Sequence, residues 1–291
     1  MKLKDALKKK KFVVTSEVQS PVDETPEKLI ESMKLVRGRV DGISVGEVEM
    51  EGIVGDSINV CDMLTQNRFE SIYQTTTRNK NRLELQKDLL TAHNSGIENL
   101  LVFTEDYRIT GDSLQEMMFF HVDSGKLKSV LDHMKEGQAI NGDALPNKAE
   151  FVLGSGVESL WGRDVPDLEM KEMETMTEIG TGYFLSTPVF DVEKFAQFMK
   201  RAQTFGVPII AEVIILRTAG MARFFNRHFK SGMVPDWIIE KLDRAPDKQI
   251  ASIEIFADIV TALKETCDGV HIITIGGEEK LRHYLDAAKL L

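Results

Sequence analysis

Short apolar runs alternate with longer amphipathic stretches along most of the chain. Eight of these runs have the length and near-continuous hydrophobicity of strands that are buried on both faces of a parallel sheet. They lie at 12–18, 41–46, 70–76, 99–104, 151–157, 183–189, 208–215 and 269–275. The stretches between them predict helices, for example over 26–38 and 81–96, where Gly96 is suited to the turn that ends a helix.

The number of alternations indicates the architecture. Eight strand–helix repeats favour a closed parallel barrel, and a doubly wound open sheet is the alternative. No GxGxxG motif follows the first strand, which weakens that alternative. The 291 residues contain no linker or low-complexity break, and a barrel of this type needs about 250 residues. We therefore predict an α/β fold with a single (β/α)8 TIM-barrel domain over residues 1–291.

Polar residues at the strand ends are the first candidates for a functional site, because parallel barrels place their active sites there. The candidates by this rule are Glu17, Gly46, Gln74, 104–106, Gly156, Thr187 and Glu212. The fourth strand, LVFTEDY, ends in the adjacent carboxylates Glu105 and Asp106. Buried carboxylates are costly unless they are paired or protonated. This pair therefore either faces solvent in a loop or is placed for chemistry, and the pattern alone leaves both open.

Composition and charge restrict the possible partners. The net charge of −10 and the pI near 5.2 argue against nucleic acid and against anionic membranes. The basic start, residues 2–11, predicts a solvated helix face, since no apolar segment follows it as in a signal peptide. No apolar run approaches the length of a membrane span.

Cysteine and histidine usage gives no sign of a metal site. Cys61 and Cys267 are far apart and lack metal-ligand spacing, and the six histidines form no ligand pattern. His271, within GVHIITI, predicts a core histidine whose hydrogen bonds are satisfied. We expect two reduced, packed thiols, no bound metal and a cytoplasmic location.

Several segments together resemble the methylenetetrahydrofolate reductase family. TTTRNKNRLELQKDLLTAHNSGIENLLVFTED is the most specific, since it matches the family's third strand, the next helix and a fourth strand ending in an Asp. The match extends through TSEVQSP, GYFLSTPVFDVEKFAQFM, VPIIAEVIILRTAGMARFFNRHFKSGMVPDWI and GVHIITI, and so covers nearly the whole chain. The resemblance implies a folate-binding TIM barrel that acts in one-carbon metabolism.

The resemblance also implies roles for residues on the folate side of the site. Glu17 matches the acid at the end of the first strand, which lies beside the pterin and supports protonation of N5. Asp106 matches the carboxylate that binds the pterin ring, and both residues are predicted to be catalytic. Phe225 stands where the family uses an aromatic residue against the aminobenzoate of folate. The other predicted folate contacts are Gln74, Glu105, Thr187, which replaces a Gln, and Glu212, which replaces a Gly.

The residues that bind flavin in the family are not retained. Gly46 replaces a Thr, Gln74 replaces a His, and Glu105 replaces a Gly whose bare backbone lies close to the flavin. Thr175 and Met176 replace an Arg-Lys pair that helps to bind the diphosphate of the cofactor. Each charge-assisted hydrogen bond to a diphosphate is worth roughly 1.5–3 kcal/mol, and threonine and methionine cannot supply one. The pattern indicates a site that keeps folate and no longer binds flavin.

Three functions follow from the resemblance as alternatives. The first is a flavin-free methyltransferase that moves a methyl group between a methylcorrinoid protein and N5 of tetrahydrofolate, as in corrinoid-dependent O-demethylase systems. Cobalamin is then carried by the partner protein. The second is a 5,10-methylenetetrahydrofolate reductase that uses FAD and NAD(P)H. The third is a non-catalytic folate-binding subunit of a one-carbon complex, which has no need of both Glu17 and Asp106. We favour the first, with tetrahydrofolate or methyltetrahydrofolate as substrate; a homo-oligomer is common in the family.

Overall fold

The predicted closed barrel of eight parallel strands is confirmed by the computed structural model. The structure describes residues 1–9, 12–19, 26–46, 49–50, 53–54, 56–77, 80–103, 123–160, 164, 166–228 and 233–290. The barrel strands are Val13–Gln19 (β1), Gly42–Gly46 (β2), Ser71–Thr76 (β5), Asn99–Phe103 (β6), Val152–Val157 (β7), Tyr183–Pro188 (β8), Ile209–Ile214 (β9) and Gly269–Ile273 (β10). A short antiparallel pair, Glu49–Met50 (β3) and Ile53–Val54 (β4), follows β2. The barrel closes in the order β1-β10-β9-β8-β7-β6-β5-β2.

Helices occupy the stretches between the strands. They are Leu3–Lys8 (α1), Pro26–Lys34 (α2), Ser57–Gln66 (α3), Arg82–Asn94 (α4), Ser124–Glu136 (α5), Asp167–Ile179 (α6), Val192–Ala202 (α7), Ala219–His228 (α8), Asp236–Arg244 (α9), Lys248–Leu263 (α10) and Leu281–Ala287 (α11). Local sequence explains the bounds of α4. Asn81 and Glu84 form a capping box at its start. Gly96, with φ of +77°, follows its end as expected from the sequence.

The lower half of the barrel interior, at the amino ends of the strands, is apolar and closed by α1. Leu3, Ala6 and Leu7 of this helix are buried against inward-facing strand residues. Those strand residues are Val13, Ile72, Leu101, Tyr183, Leu185 and Ile210. Burial of a side chain such as leucine stabilises the fold by about 1.5–3 kcal/mol. The interpretation of the basic start as a solvated face is therefore incomplete: Lys2, Lys4, Lys8 and Lys9 are exposed, but the apolar face of α1 closes the barrel.

Two glycines let large rings cross the barrel interior. A Cβ atom at Gly154 would overlap the ring of Tyr183, and one at Gly156 would overlap the ring of Phe103. Both rings therefore fill space that a side chain on β7 would otherwise take. Gly156 is a candidate site residue by its place at a strand end, and its contact with Phe103 assigns it a packing role.

The two thiols are free, and Cys61 is fully buried while Cys267 is partly buried. Burial raises the pKa of Cys267 to about 11, and it raises the pKa of Cys61 as well. Within the described ranges, no group of three His, Cys, Asp or Glu side chains is arranged to hold a metal ion. Over the same residues, no helix is both long and apolar enough to cross a membrane.

Candidate functional site

The upper half of the barrel interior, toward the carboxyl ends of the strands, is polar. Side chains alternate between the two faces of a strand, and Val13, Ile72 and Ile210 face the interior. Residues two or four positions further along the same strands therefore face the barrel interior as well. These residues are Thr15, Glu17, Gln74 and Glu212. Three residues predicted to share one site, Glu17, Gln74 and Glu212, therefore lie in the same part of the barrel.

Glu17 lies on β1 with its carboxylate between two neighbouring strands. Its Oε2 atom is 3.7 Å from Nε2 of His271 on β10. On the other side, a Cβ atom on Gly46 of β2 would lie 3.5 Å from Oε1. The side chain of Glu17 is 14% exposed, whereas that of His271 is 2% exposed. A carboxylate that is held by the strands and still partly open is suited to exchange a proton with a bound ligand.

Gln74 and Gly46 lie next to this carboxylate. The hydroxyl of Ser44 donates a hydrogen bond of 2.9 Å to Oε1 of Gln74, which fixes the amide in the barrel interior. The same oxygen would be 3.6 Å from a Cβ atom on Gly46. These are ordinary contact distances, so crowding by Glu17 and Gln74 does not require glycine at this strand end. The bare backbone of Gly46 leaves a gap that both side-chain oxygens face.

His271 is absent from the site that the sequence predicts, and the structure places it beside Glu17. Its Nδ1 atom is 2.8 Å from the hydroxyl of Thr15 on β1. Its Nε2 atom is buried and has no hydrogen-bond partner among the described residues. The expectation of a core histidine is therefore confirmed, but only one of its two ring nitrogens has a hydrogen-bond partner in the described part of the chain. Its sequence signal is a polar residue inside the apolar strand GVHIITI, but only the barrel register brings it to Thr15 and Glu17.

Thr187, a predicted folate contact, takes part in a network at the ends of β7 and β8. Its hydroxyl donates to Oε1 of Glu158 at 3.1 Å and accepts from the backbone N–H of Ser159 at 3.1 Å. The same oxygen of Glu158 accepts from the backbone N–H of Leu160 at 2.8 Å. The Thr187 side chain thus ties the end of β8 to the segment after β7. The contact of Thr187 with folate stays a prediction. Its hydrogen bond to Glu158 could not be predicted from the spacing of the two residues in the sequence.

Glu212 is held in the sheet by its main chain. Its backbone N–H donates to the hydroxyl of Ser186 at 3.2 Å. On the other neighbouring strand its register partner is His271. Among the described residues of the polar upper half, the carboxylates of Glu17 on β1 and Glu212 on β9 therefore lie on the strands to either side of the histidine of β10.

Comparison with known proteins assigns the family. The methylenetetrahydrofolate reductase model matches residues 2–289. The chain belongs to the methylenetetrahydrofolate reductase family. No curated protein sequence is significantly similar to it.

Solved structures share the fold at low sequence identity. An uncharacterized protein from Clostridium thermocellum, described as binding two copies of 5-methyl-5,6,7,8-tetrahydrofolic acid, has a TM-score of 0.63 and 16% identity over 99% of this chain and 98% of that one. Tryptophan synthase from M. tuberculosis has a TM-score of 0.55 and 10% identity over 100% of this chain and 99% of that one. A 2,3-dimethylmalate lyase has a TM-score of 0.52 and 11% identity over 99% and 84%, respectively.

The aromatic position that the methylenetetrahydrofolate reductase family uses for folate is buried in this chain. Phe225, on α8, is 7% exposed, and its ring centroid is 6.0 Å from that of Phe190. Its neighbour Phe224 is 53% exposed and lies 4.3 Å from the ring of His228. The structure thus gives Phe225 a packing role, and contact with the aminobenzoate stays a prediction.

The positions of the family's Arg-Lys pair lie in the second half of α6. Met176 is fully buried in the core, and the hydroxyl of Thr175 donates to the backbone carbonyl of Lys171 at 2.9 Å. At a rise of about 1.5 Å per residue, both lie roughly 12–14 Å along the helix from its first residue, Asp167. Neither side chain offers a positive charge to a diphosphate. Glu105 and Asp106, the remaining predicted site residues, lie outside the described residues.

Proposed function

We propose that the chain binds tetrahydrofolate at the polar end of its barrel and moves a methyl group between a methylcorrinoid protein and N5 of folate without flavin. The observation that carries the proposal is the position of Glu17. It is a partly exposed carboxylate inside the barrel, at the place of the family's acid, between His271 and the gap at Gly46. Such a group can accept the proton that N5 loses when it is methylated.

Folate as the ligand is supported by the family and by the chemistry of the barrel interior. The Clostridium thermocellum protein with the same fold binds 5-methyl-5,6,7,8-tetrahydrofolic acid. In this chain, Gln74 and Glu212 present an amide and a carboxylate to the upper interior. A pterin has an amino group, ring N–H groups and a carbonyl along its edge, and these pair with amides and carboxylates. Asp106 is proposed to bind the same edge, as the family resemblance implies.

The described residues do not fit the flavin that the family name implies. A dinucleotide needs positive or N–H groups at its diphosphate, and α6 presents a threonine bonded to its own helix and a buried methionine. At the ends of β2 and β5, Gly46 has no side chain and the amide oxygen of Gln74 is engaged by Ser44. We therefore propose no step through flavin.

The proposed step is a displacement at the methyl carbon. The lone pair of N5 forms the N–C bond while the Co–C bond of the methylcorrinoid breaks, and the electron pair of that bond stays on cobalt, which passes from Co(III) to Co(I). The proton on N5 goes to the carboxylate of Glu17. In the reverse direction Glu17 returns this proton to N5. The protein accelerates the step by fixing the pterin so that N5 and the methyl carbon meet at about 3–3.5 Å.

Two measurements on the purified protein test the proposal. The visible spectrum is recorded as isolated and after incubation with FAD and desalting, and we expect no retained yellow chromophore. Methyl transfer is then followed from methylcobalamin to tetrahydrofolate by the absorbance change at cobalt and by chromatography of 5-methyltetrahydrofolate. A tightly bound flavin with NAD(P)H-dependent reduction of methylenetetrahydrofolate would refute the proposal and support the reductase. Folate binding without either activity would support the non-catalytic subunit.

The role of Glu17 is tested by a matched pair of variants. We expect Glu17→Gln to bind tetrahydrofolate within about threefold of the wild type but to transfer methyl about 10²–10⁴-fold more slowly, the usual range for removal of an acid–base group. Glu178→Gln makes the same change at an exposed position on α6 and should leave transfer unchanged. Transfer by Glu17→Gln at the wild-type rate would refute the assignment.

A further inference from the structure

Glu158 continues the line of residues that β7 presents to the barrel interior. Gly154 and Gly156 lie on that face, since Cβ atoms on them would meet the rings of Tyr183 and Phe103. Glu158 comes two residues after Gly156 and directly after the last residue of the strand. Because side chains alternate along an extended chain, this half-buried carboxylate belongs to the mouth of the barrel on the interior side.

The carboxylate of Glu158 is held in one orientation. Its Oε1 atom accepts from the backbone N–H of Leu160 at 2.8 Å and from the hydroxyl of Thr187 at 3.1 Å. The main chain is held as well, because the backbone N–H of Glu158 donates to the carboxylate of Glu169 on α6 at 2.8 Å. A side chain that is already fixed loses little conformational freedom when a ligand binds, which favours binding.

The hydroxyl of Thr187 is fully used in holding Glu158. A hydroxyl has one proton and two lone pairs. The proton of Thr187 goes to Glu158, and one lone pair accepts from the backbone N–H of Ser159 at 3.1 Å. The Ser159 hydroxyl is 3.0 Å from the same oxygen and donates to it, since this contact is shorter than the 3.5 Å to the backbone carbonyl of Thr187. The hydroxyl of Thr187 therefore has no hydrogen-bonding capacity left for a ligand.

Glu158 stands on the side of the barrel opposite Glu17. In the closed order of eight strands, β7 is four steps from β1 in either direction. In the proposed function, N5 of tetrahydrofolate faces Glu17 on β1. N5 belongs to one ring of the pterin, and the 2-amino group is attached to the far side of the other ring. A pterin that lies across the interior with N5 at Glu17 thus turns its amino group toward β7.

We propose that Glu158 binds folate by accepting an N–H of the 2-amino group with its carboxylate, and that Thr187 is the positioning residue for this carboxylate. The inference rests on the proposed function, because the orientation of the pterin follows from N5 at Glu17. An amino group has two N–H bonds, so Asp106 can accept the second one. The site therefore selects pterins that carry an amino group at this position.

The variant Glu158→Gln changes the group offered to the ligand and keeps the network. The amide oxygen can still accept from Leu160 and Thr187, which places the NH2 group where the second carboxylate oxygen stood, so that a donor faces the amino group of the pterin. Calorimetric titration compares tetrahydrofolate with an analogue in which a methyl group replaces the 2-amino group. Glu178→Gln, at an exposed position on α6, is the matched control.

We expect the wild type to prefer tetrahydrofolate over the analogue by about 10²-fold or more, because the analogue loses both charged hydrogen bonds. Glu158→Gln should bind tetrahydrofolate about 10–100-fold more weakly and the analogue within about threefold of the wild type. Glu178→Gln should bind both ligands as the wild type does.

Thr187→Val tests the positioning role. We expect it to weaken tetrahydrofolate binding by about 3–10-fold, because the carboxylate loses one of the donors that orient it. The double variant with Glu158→Gln should bind within about twofold of Glu158→Gln alone, since residues that act through one another are not additive. Additive losses would show that Thr187 contacts the ligand itself and would overturn its positioning role.

The outcomes separate this inference from the proposed function. Equal affinity of the wild type for the two ligands overturns the inference without any variant. Equal losses of both ligands in Glu158→Gln also overturn it, because Glu158 would then only support the fold of the segment after β7. None of these titrations involves methyl transfer, so a protein that binds as expected but transfers no methyl group refutes the proposed function and leaves the inference standing. A protein that binds neither ligand overturns both.

Discussion

Tyr183 and Tyr284 allow one chemical change to be tested in two opposite settings. Tyr183 fills the lower barrel interior and is 2% exposed, and its hydroxyl has no hydrogen-bond partner among the residues described. Burial accordingly raises the pKa of this phenol. Tyr284, on α11, is 3% exposed, and its hydroxyl lies 3.0 Å from that of Ser252. Replacement by Phe removes one oxygen from each site.

We expect Tyr183→Phe to stabilise the protein and Tyr284→Phe to destabilise it. A buried polar group without a partner costs about 1–3 kcal/mol, so removal of the Tyr183 hydroxyl should raise the free energy of unfolding by about 1 kcal/mol. Removal of the hydrogen bond at Tyr284 should lower it by about 1 kcal/mol and leave Ser252 unpaired. An unfolding entropy of about 2.1 cal/mol/K per residue gives about 0.6 kcal/mol/K for 291 residues. Each change therefore corresponds to a shift in Tm of about 1.6 °C.

Urea denaturation and calorimetry of the two variants measure these values against the wild type. The two shifts should have opposite signs, with a difference of about 2 kcal/mol in the free energy of unfolding between the variants. A Tyr183→Phe variant that is less stable than the wild type would show that this hydroxyl is hydrogen-bonded and would refute the prediction. The Tyr284 variant controls for a general effect of a Tyr→Phe substitution, because the side chains of Tyr183 and Tyr284 are buried to a similar degree.

Three further predictions concern the packing of α8, the thiols and the pterin. Phe225→Ala should lower the free energy of unfolding by about 3–5 kcal/mol in the same urea assay. Phe224 is half exposed and stacks on His228, so Phe224→Ala should lower it by less than about 1.5 kcal/mol. Equal effects of the two changes would contradict the packing. Because burial raises the pKa of Cys267 to about 11 and that of Cys61 as well, both should react with a thiol reagent only in denaturant at about pH 7.5. The rate at Cys267 should rise about tenfold per pH unit toward that pKa, and rapid native labelling at neutral pH would contradict it. Asp106→Asn should weaken tetrahydrofolate binding by about 10–100-fold in calorimetric titration, as expected for removal of a charged hydrogen-bond partner, and unchanged affinity would remove it from the site.

The strands were predictable because each is an apolar run bounded by breaking residues. Strands buried on both faces need hydrophobic side chains at nearly every position, and this requirement is visible without any knowledge of pairing. The helix face of α4 was harder to predict. Leu85, Leu89 and Ala92 are buried, but Leu83 is 64% exposed. Leu83 stands two residues before Leu85, and at 3.6 residues per turn this spacing puts it on the opposite face of the helix.

The pairing of side chains across the barrel was not predictable from spacing. Thr15 and His271 are 256 residues apart, and their contact exists only because closure of the barrel makes the first and last strands neighbours. The hydroxyl of Thr187 likewise meets Glu158 through the ends of two adjacent strands. Strand-end position alone therefore predicted that Glu17, Gln74 and Glu212 share one part of the barrel, but it could not say which groups face them.

The division of the barrel interior explains how one core can hold a cluster of polar groups. Below, α1 and the ring of Tyr183 fill the space between the strands with apolar contacts, so that half supplies stability. Above, the strands present carboxylates, an amide and an imidazole, whose burial is costly unless they bond to one another or to a ligand. The Nε2 atom of His271 is one group that the described protein leaves without a hydrogen bond. A bound ligand that forms a hydrogen bond with this atom would satisfy it. We therefore expect the chemistry at this end of the barrel.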